Sequence, residues 1–364
     1  MNILAADAAG VARAAAHLHE GGLVGMPTET VYGLAADARD PRAIARVFEA
    51  KGRPRFDPLI VHVPPGDPLR ALVGVASPLS GWSQRGSKQL EGLLGWWPGP
   101  LTVVLPRDPE IPDLAAAGLA TVAVRMPAHP VAQRLLTAFG GPLVAPSANR
   151  FGRVSPTSAE AVRDELGHVA GFVLDGGPCP IGVESTIVAV ELDGTVRLLR
   201  PGAVPVEALV ERVGPVLRGG DRMAAPGSSP SHYAPAVRVR VVPFPVEELG
   251  AAELSSIPRA GVAVLRVLGP VEPAVRALEG ARISVVEART LSVNRSAEEA
   301  GRHLFAALRA LDRPDIACVI AELPPTEEGL LAAIADRLRR SAGPRPGLDG
   351  SGGGGNGTAP AEDE

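Results

Sequence analysis

Aromatic residues make up only 3% of the 364 positions, and cysteine occurs twice. So few rings argue against a stacking platform for single-stranded nucleic acid. Cys179 and Cys318 lie far apart and form no CxxC pair, which excludes a zinc ribbon or disulfide framework and suits a reducing cytosol. No apolar run approaches the roughly 18 residues of a membrane span. Residues 1–20 lack a basic n-region and carry Asp7 inside the apolar stretch, so no secretory leader is expected. Site signatures are missing too. GxxxxGK[ST] does not occur; residues 81–88 come nearest, with the lysine one place late. There is no GxGxxG after a strand and no HExxH, and His17 and His19 suit a helix surface better than a metal.

What remains is the composition of an ordinary enzyme: 46% hydrophobic, 21% charged, formal net charge −4. At roughly 100–200 residues per domain the length predicts two domains. Helical and strand patterns alternate. Residues 7–20 read as an amphipathic helix, followed by a strand at 23–26, a helix at 41–51 and strands at 59–63, 101–105 and 122–125. Next come a helix at 130–139, a strand at 143–145, a helix at 158–166 and strands at 172–174, 185–191 and 196–199. Residues 80–95 receive no assignment because their glycines weaken a helix. This is the pattern of an α/β domain with a mixed sheet over residues 1–213.

Residues 214–235, rich in Gly and Pro and without apolar period, read as a linker. Alternation restarts over 236–341, with strands at 237–242, 261–265, 282–286 and 316–321 and helices at 273–278, 297–311 and 330–339. That order predicts a smaller Rossmann-like parallel-sheet domain. The glycine-rich tail at 342–364 is expected to be disordered. There is no internal repeat.

Polar residues concentrate at strand ends, where open α/β sheets bind ligands. Pro27-Thr28-Glu29-Thr30 follows the first apolar strand, and Lys51-Gly52-Arg53-Pro54-Arg55 sets three cations in one turn. A guanidinium fork or an ammonium there suits phosphate oxygens, although a solvated helix end has the same composition. Loops 146–157 and 182–187 offer hydroxyls and backbone N–H groups for an anion, or simply capped turns. Arg125, at a strand end, suits a carboxylate as well as it suits the surface.

In order, PTETVYGL, KGRPRFDPLIVHV, WPGPLT, VAVRMP, PSAN with SPT, GVESTI and LLRPG resemble the YrdC-like family of threonylcarbamoyl-AMP synthases. The likeness covers about residues 10–205. HYAP at 232–235, NRSAEEAGRHLFAALRALD at 294–312 and the later GLLAAIADRL resemble the C-terminal extension of the long, two-domain members. The resemblance implies a twisted YrdC-like catalytic domain at 1–213, a lid at 214–235 and the Rossmann-like domain at 236–341. The implied reaction joins L-threonine, bicarbonate or CO2, and ATP into threonylcarbamoyl-AMP and pyrophosphate.

Carried residue by residue, Thr30, His62, Arg125, Ala145 and Ser185 fall on the threonine side. Lys51, Arg53, Asp57, Thr121, Ser147, Ser155 and Arg200 fall on the ATP side, with Lys51 and Arg53 as the catalytic cations. His232 and Tyr233 belong to the linker folding over the nucleotide. Asp57 stands where other members carry a neutral amide. Mg²⁺ is implied with ATP, without a dedicated protein cage. The product would pass to cytoplasmic machinery that modifies tRNA with threonylcarbamoyladenosine; direct tRNA binding has weaker support, and no membrane is involved. A carbamoyl-adenylate former is the alternative enzyme, but zinc-finger cysteines and an acylphosphatase-like segment would be expected beside it. A double-stranded RNA-binding module is the non-catalytic alternative, and residues 1–215 hold 19 basic against 21 acidic side chains.

Lys51 and Lys88 are the only lysines of the chain. Lys51→Ala should therefore lower turnover far more than Lys88→Ala in a pyrophosphate-release assay; equal effects would remove Lys51 from the phosphate site.

Overall fold

The computed structural model describes residues 2–76, 82–167, 169, 171–219 and 233–343, and the tail expected past 343 and most of the expected linker lie outside these. The strands of the first domain are β1 (Asn2–Ala5), β2 (Val24–Met26), β3 (Gly33–Asp37), β4 (Ile60–His62), β5 (Leu101–Pro106), β6 (Thr121–Arg125), β7 (Leu143–Val144), β8 (Phe172–Asp175), β9 (Thr186–Val190), β10 (Val196–Arg200) and β11 (Val216–Arg218). They form one mixed sheet in the order β1-β8-β2-β3-β7-β4-β6-β5-β9-β10-β11. The helices are α1 (Ala8–His19), α2 (Pro41–Lys51), α3 (Pro68–Ala71), α4 (Gln84–Leu94), α5 (Pro130–Phe139), α6 (Ala159–Leu166) and α7 (Val206–Val213).

Local chemistry sets the helix ends. Asp7 caps α1 by accepting from Gly10 N at 2.8 Å, and Asp40 caps α2, which begins with Pro41 and stops at Gly52 in the left-handed region. Side-chain alternation then divides the sheet. Leu34, Ala36, Val144 and Val173 face one core together with α2 and α6, whereas Ala35, Leu143 and Leu174 face a second core under α1 and α5.

The strands β12 (Arg238–Val242), β13 (Val262–Leu268), β14 (Val285–Ser292) and β15 (Cys318–Glu322) make a second sheet, all parallel, in the order β12-β15-β13-β14. Its helices are α8 (Ala251–Ser255), α9 (Glu272–Gly280), α10 (Ala297–Ala310) and α11 (Leu330–Ser341). This is the small parallel-sheet domain that the sequence pattern predicts. Its core does not close on itself. Val31, Val154 and Val183 of the first domain pack in one cluster with Tyr233, Phe305, Leu308, Ile334 and Leu338. Arg153 pairs with Asp312 at 2.8 Å, and Arg309 pairs with buried Glu165 at 3.0 Å across the same boundary.

Several sequence expectations need revision. Residues 84–94 are helical although Gly86 and Gly92 lie inside: a Cβ at Gly86 would come within 2.8 Å of the Leu192 carbonyl, so close packing selects glycine there. Strand β14 begins at Val285 and runs to Ser292, later and longer than the expected 282–286, because Arg282 takes a left-handed φ of 58° just after α9. Strands β1 and β3, both short, are further additions to the expected pattern: β1 pairs with distant β8, and β3 pairs with its neighbour β2 and with distant β7. The stretch expected as linker starts inside the sheet, where Val216 and Leu217 pair in parallel with Val196 and Arg197.

Because the two domains share one apolar cluster, Phe305→Ala should cost about 3–5 kcal/mol. Val286→Ala, on an exposed side chain, should change stability by less than about 0.5 kcal/mol. Urea denaturation checks both, and a Phe305→Ala midpoint equal to that of Val286→Ala would contradict the shared core.

Candidate functional site

Between the helix-covered face and the edge strands, one side of β4, β6, β5 and β9 carries only a small apolar cluster of Ile60, Val104, Ala123 and Ile187. Register places the polar residues beside it. His62 pairs with Arg125 across β4 and β6, and Thr102 aligns with Ile187 across β5 and β9, so His62, Arg125, Thr102 and Ser185 share that face. Thr102 and Ser185 exchange a hydroxyl hydrogen bond of 2.7 Å. The 145–149 loop closes one side. It approaches Gly33 so closely that a Cβ there would meet the Ala145 Cβ at 2.9 Å, and Ala148 N donates to Tyr32 O.

The resulting pocket is lined by Thr30, Arg53, His62, Arg125, Ala145, Ser147, Ser185, Arg200 and Tyr233, nine of the residues singled out in the sequence. Thr28, Gly33, Ile60 and Glu184 also line it. Four others do not. Lys51 is buried behind the pocket and donates to the carbonyls of Ser147 and Asn149, so in this structure its ammonium holds the loop that carries Ser147. Asp57 pairs with Arg53 at 2.9 Å. Ser155 donates to Glu184 Oε1 at 2.7 Å. Thr121 shares the Arg125 face of β6, four residues and about 13 Å back. His232 lies outside the described residues. Cys179 is buried in the core, and burial pushes its thiol up to about 12.

Arg125 is held from three sides. It donates to Thr30 Oγ1 at 2.8 Å and to Gly99 O at 3.1 Å, and its Nη2 lies 2.5 Å from Glu29 Oε1, an ion pair off the line of a hydrogen bond. Burial acts to raise the Glu29 pKa, yet the Arg125 charge and contact outweigh it and hold the carboxyl below its usual range. Arg53 donates to Asp57 O at 3.0 Å and Pro58 O at 2.8 Å, which fixes its guanidinium. Arg200 reaches Ser185 O at 2.9 Å. Burial, and then the neighbouring Arg53, push the Lys51 pKa well down. Tyr233 has a left-handed φ of 65° and stacks on Phe305 with centroids 5.4 Å apart.

His62 is buried and its Nδ1 has no hydrogen-bond partner among the described residues. Burial, then Arg125, push its pKa down to about 3, so the ring is neutral and offers a lone pair or a single N–H. The pocket can therefore take an anion on the fixed guanidinium groups of Arg53, Arg125 and Arg200, with the hydroxyls of Thr30 and Ser185 and the neutral ring of His62 on the same lining. Among the described residues, no three His, Cys, Asp or Glu side chains cluster as a metal site. Glu29, paired with Arg125, and Glu184, on the pocket lining, are site residues that sequence reasoning passed over. Each adjoins a residue it did select, Thr30 and Ser185, and charge next to a chosen hydroxyl was the available signal.

Known proteins resemble this chain along most of its length. A family model described as telomere recombination matches residues 16–202, and one described as threonylcarbamoyl-AMP synthase, C-terminal domain, matches residues 204–343. A threonylcarbamoyl-AMP synthase from Pyrococcus abyssi is 37% identical over 347 residues, covering 91% of this chain and 94% of that protein. One from Bacillus subtilis is also 37% identical, covering 92% and 93%. The crystal structure of P. abyssi Sua5 complexed with L-threonine superposes with a TM-score of 0.80 at 35% identity, over 94% of this chain and 98% of that one.

The buried His62 generates a pH dependence. Its ordinary pKa of 6.5 applies in the unfolded chain, and the folded value is about 3, so only the unfolded state takes up this proton between those values. The stability due to this site is complete above about pH 6.5 and is lost as pH falls toward 3. Urea midpoints of His62→Gln should drop less than those of the wild type between about pH 7 and about pH 5. Equal drops would mean that folded His62 accepts the proton.

Proposed function

The chain belongs to the threonylcarbamoyl-AMP synthase family, enzymes that form an adenylate from ATP, and we propose that this pocket binds L-threonine and ATP side by side. The observation that carries the assignment is the lining itself. Thr30, His62, Arg125, Ala145 and Ser185 line one pocket with Arg53, Ser147 and Arg200, and in this reading the first five take the threonine and the last three the nucleotide. In this reading the threonine carboxylate lies on Arg125, which keeps its geometry through Glu29 and Gly99. Neutral His62 receives a hydrogen bond from the amino group.

The amino group, its ammonium proton lost to water, adds to CO2, supplied as such or as bicarbonate; the N–H proton released on addition also passes to water, leaving a carbamate. A carbamate oxygen then attacks the α-phosphorus of ATP; the P–O bond to pyrophosphate breaks, and threonylcarbamoyl-AMP forms. Arg53 and Arg200 stabilise the negative charge, while their fixed hydrogen bonds spare reorganisation during the reaction. Positioning of two substrates in one buried cleft supplies the rest. Lys51 contributes by setting the loop that carries Ser147. Asp57, Thr121 and Ser155 take indirect or outer parts on the nucleotide side, and Tyr233, with His232 before it in the chain, brings the linker to the ATP end. Mg²⁺ enters as part of the nucleotide substrate, with phosphate and water oxygens as its ligands.

The labile adenylate is handed to a tRNA-modifying transferase in the cytoplasm. No helix among the described residues is long and apolar enough to cross a membrane.

Purified full-length protein, incubated with ATP, Mg²⁺, L-threonine and bicarbonate, should release pyrophosphate only when threonine is present. Release that ignores threonine would overturn this assignment.

A further inference from the structure

Glu184 sets a problem at the nucleotide end. Glu184 lines the pocket beside Ser185 and Arg200 and is 5% exposed, so a triphosphate bound there would feel its carboxylate as a like charge. The compensating cation comes from the other domain. Arg337, on α11 and 0% exposed, donates from Nε to Glu184 Oε2 at 3.0 Å and from Nη1 to Pro201 O at 2.7 Å. Asp336 braces the same Nη1 at 2.8 Å, and the guanidinium carbon lies 5.4 Å from the centre of the Tyr233 ring. Ser155 takes the other oxygen of Glu184 at 2.7 Å. One guanidinium thus contacts the carboxylate of a pocket residue, the Pro201 carbonyl directly after Arg200, and the ring of Tyr233, which lines the pocket.

We propose that Arg337 is a positioning residue for the nucleotide, supplied by the second domain: it neutralises Glu184 and locks it onto Ser155, so that the ATP end remains receptive to phosphate. The inference rests on the pocket being the ATP site. It makes the second domain part of that site and not a separable appendage. Truncating Arg337 frees the Glu184 charge in a buried place, and such a one-sided removal is far more damaging than removing both partners together.

The test is a double-mutant cycle in the full chain, read by ATP titration calorimetry and by steady-state kinetics. Arg337→Met, which keeps the side-chain volume, should weaken ATP binding and raise the KM for ATP by at least about tenfold, leaving the KM for threonine within about twofold. Adding Glu184→Gln should recover most of that loss, because the charge that Arg337 neutralised is gone. Arg337→Lys should fall between, since it keeps the charge and loses the fork.

If Arg337→Met does not fold, Arg337→Gln, which also removes the charge but keeps a hydrogen-bond donor, carries the same comparison with and without Glu184→Gln. Wild-type ATP affinity in folded Arg337→Met, or no recovery in the double variant, would overturn the proposal. So would an equal rise in both KM values, the mark of general damage. A wild-type protein that binds ATP yet releases no threonine-dependent pyrophosphate would sink the reaction assignment, while the binding arm would still decide the role of Arg337. A wild-type protein that binds no ATP would overturn both.

Discussion

A charge taken out of water must find its counter-charge, and that constraint organises this molecule around its pocket. Removing one partner of a buried pair typically costs about 3–5 kcal/mol. Three ion pairs at the site meet that demand: Arg53 with Asp57, Arg125 with Glu29, and Glu184 with Arg337. The first two pairs lie within short stretches or adjoining loops of the first domain. The third spans 153 positions and joins the domains.

The pairing explains how a chain of net charge −4 holds a site for anions. Net charge averages over the surface. The pocket is built from guanidinium groups whose hydrogen bonds fix them in place, and the carboxylates among them are already engaged by cations. Backbone parity supplies the rest. Successive side chains on β4 and β6 point to opposite faces, so Val61 and Val124 enter the core while His62 and Arg125 face the pocket. Polar residues here interrupt the apolar pattern just where helices α1 and α5 no longer cover the sheet.

The second domain closes what the first leaves open. Val31, Val154 and Val183 follow or flank pocket residues, and they are buried by helices α10 and α11. Tyr233 belongs to both structures, stacked on Phe305 and lining the pocket. Stability of the boundary and shape of the site therefore depend on the same contacts.

Much of this was legible in the residues. Helix α2 was bounded by Pro41 and Lys51 and helix α5 by Pro130 and Phe139, because local capping chemistry marks those ends; the alternation of short strands and helices marked both domains. Helix α4 was hidden, since glycine weakens a helix locally and is rewarded there only by the approach of Leu192. Strand β14 was displaced because nothing local says where a turn ends and a ladder begins. At the site, ordered motifs named Thr30, Arg53, His62, Arg125 and Ser185, and they do share one pocket.

The sequence by itself determined the element pattern, the two-domain order and the chemical types at the site, because caps, turns and alternation act over a few residues. Only the tertiary structure decided that Lys51 holds a loop, that Glu29 shares Arg125, and that Arg337 answers Glu184. Those are pairings between distant positions, and the energy that selects them appears only when folding has removed water from both partners.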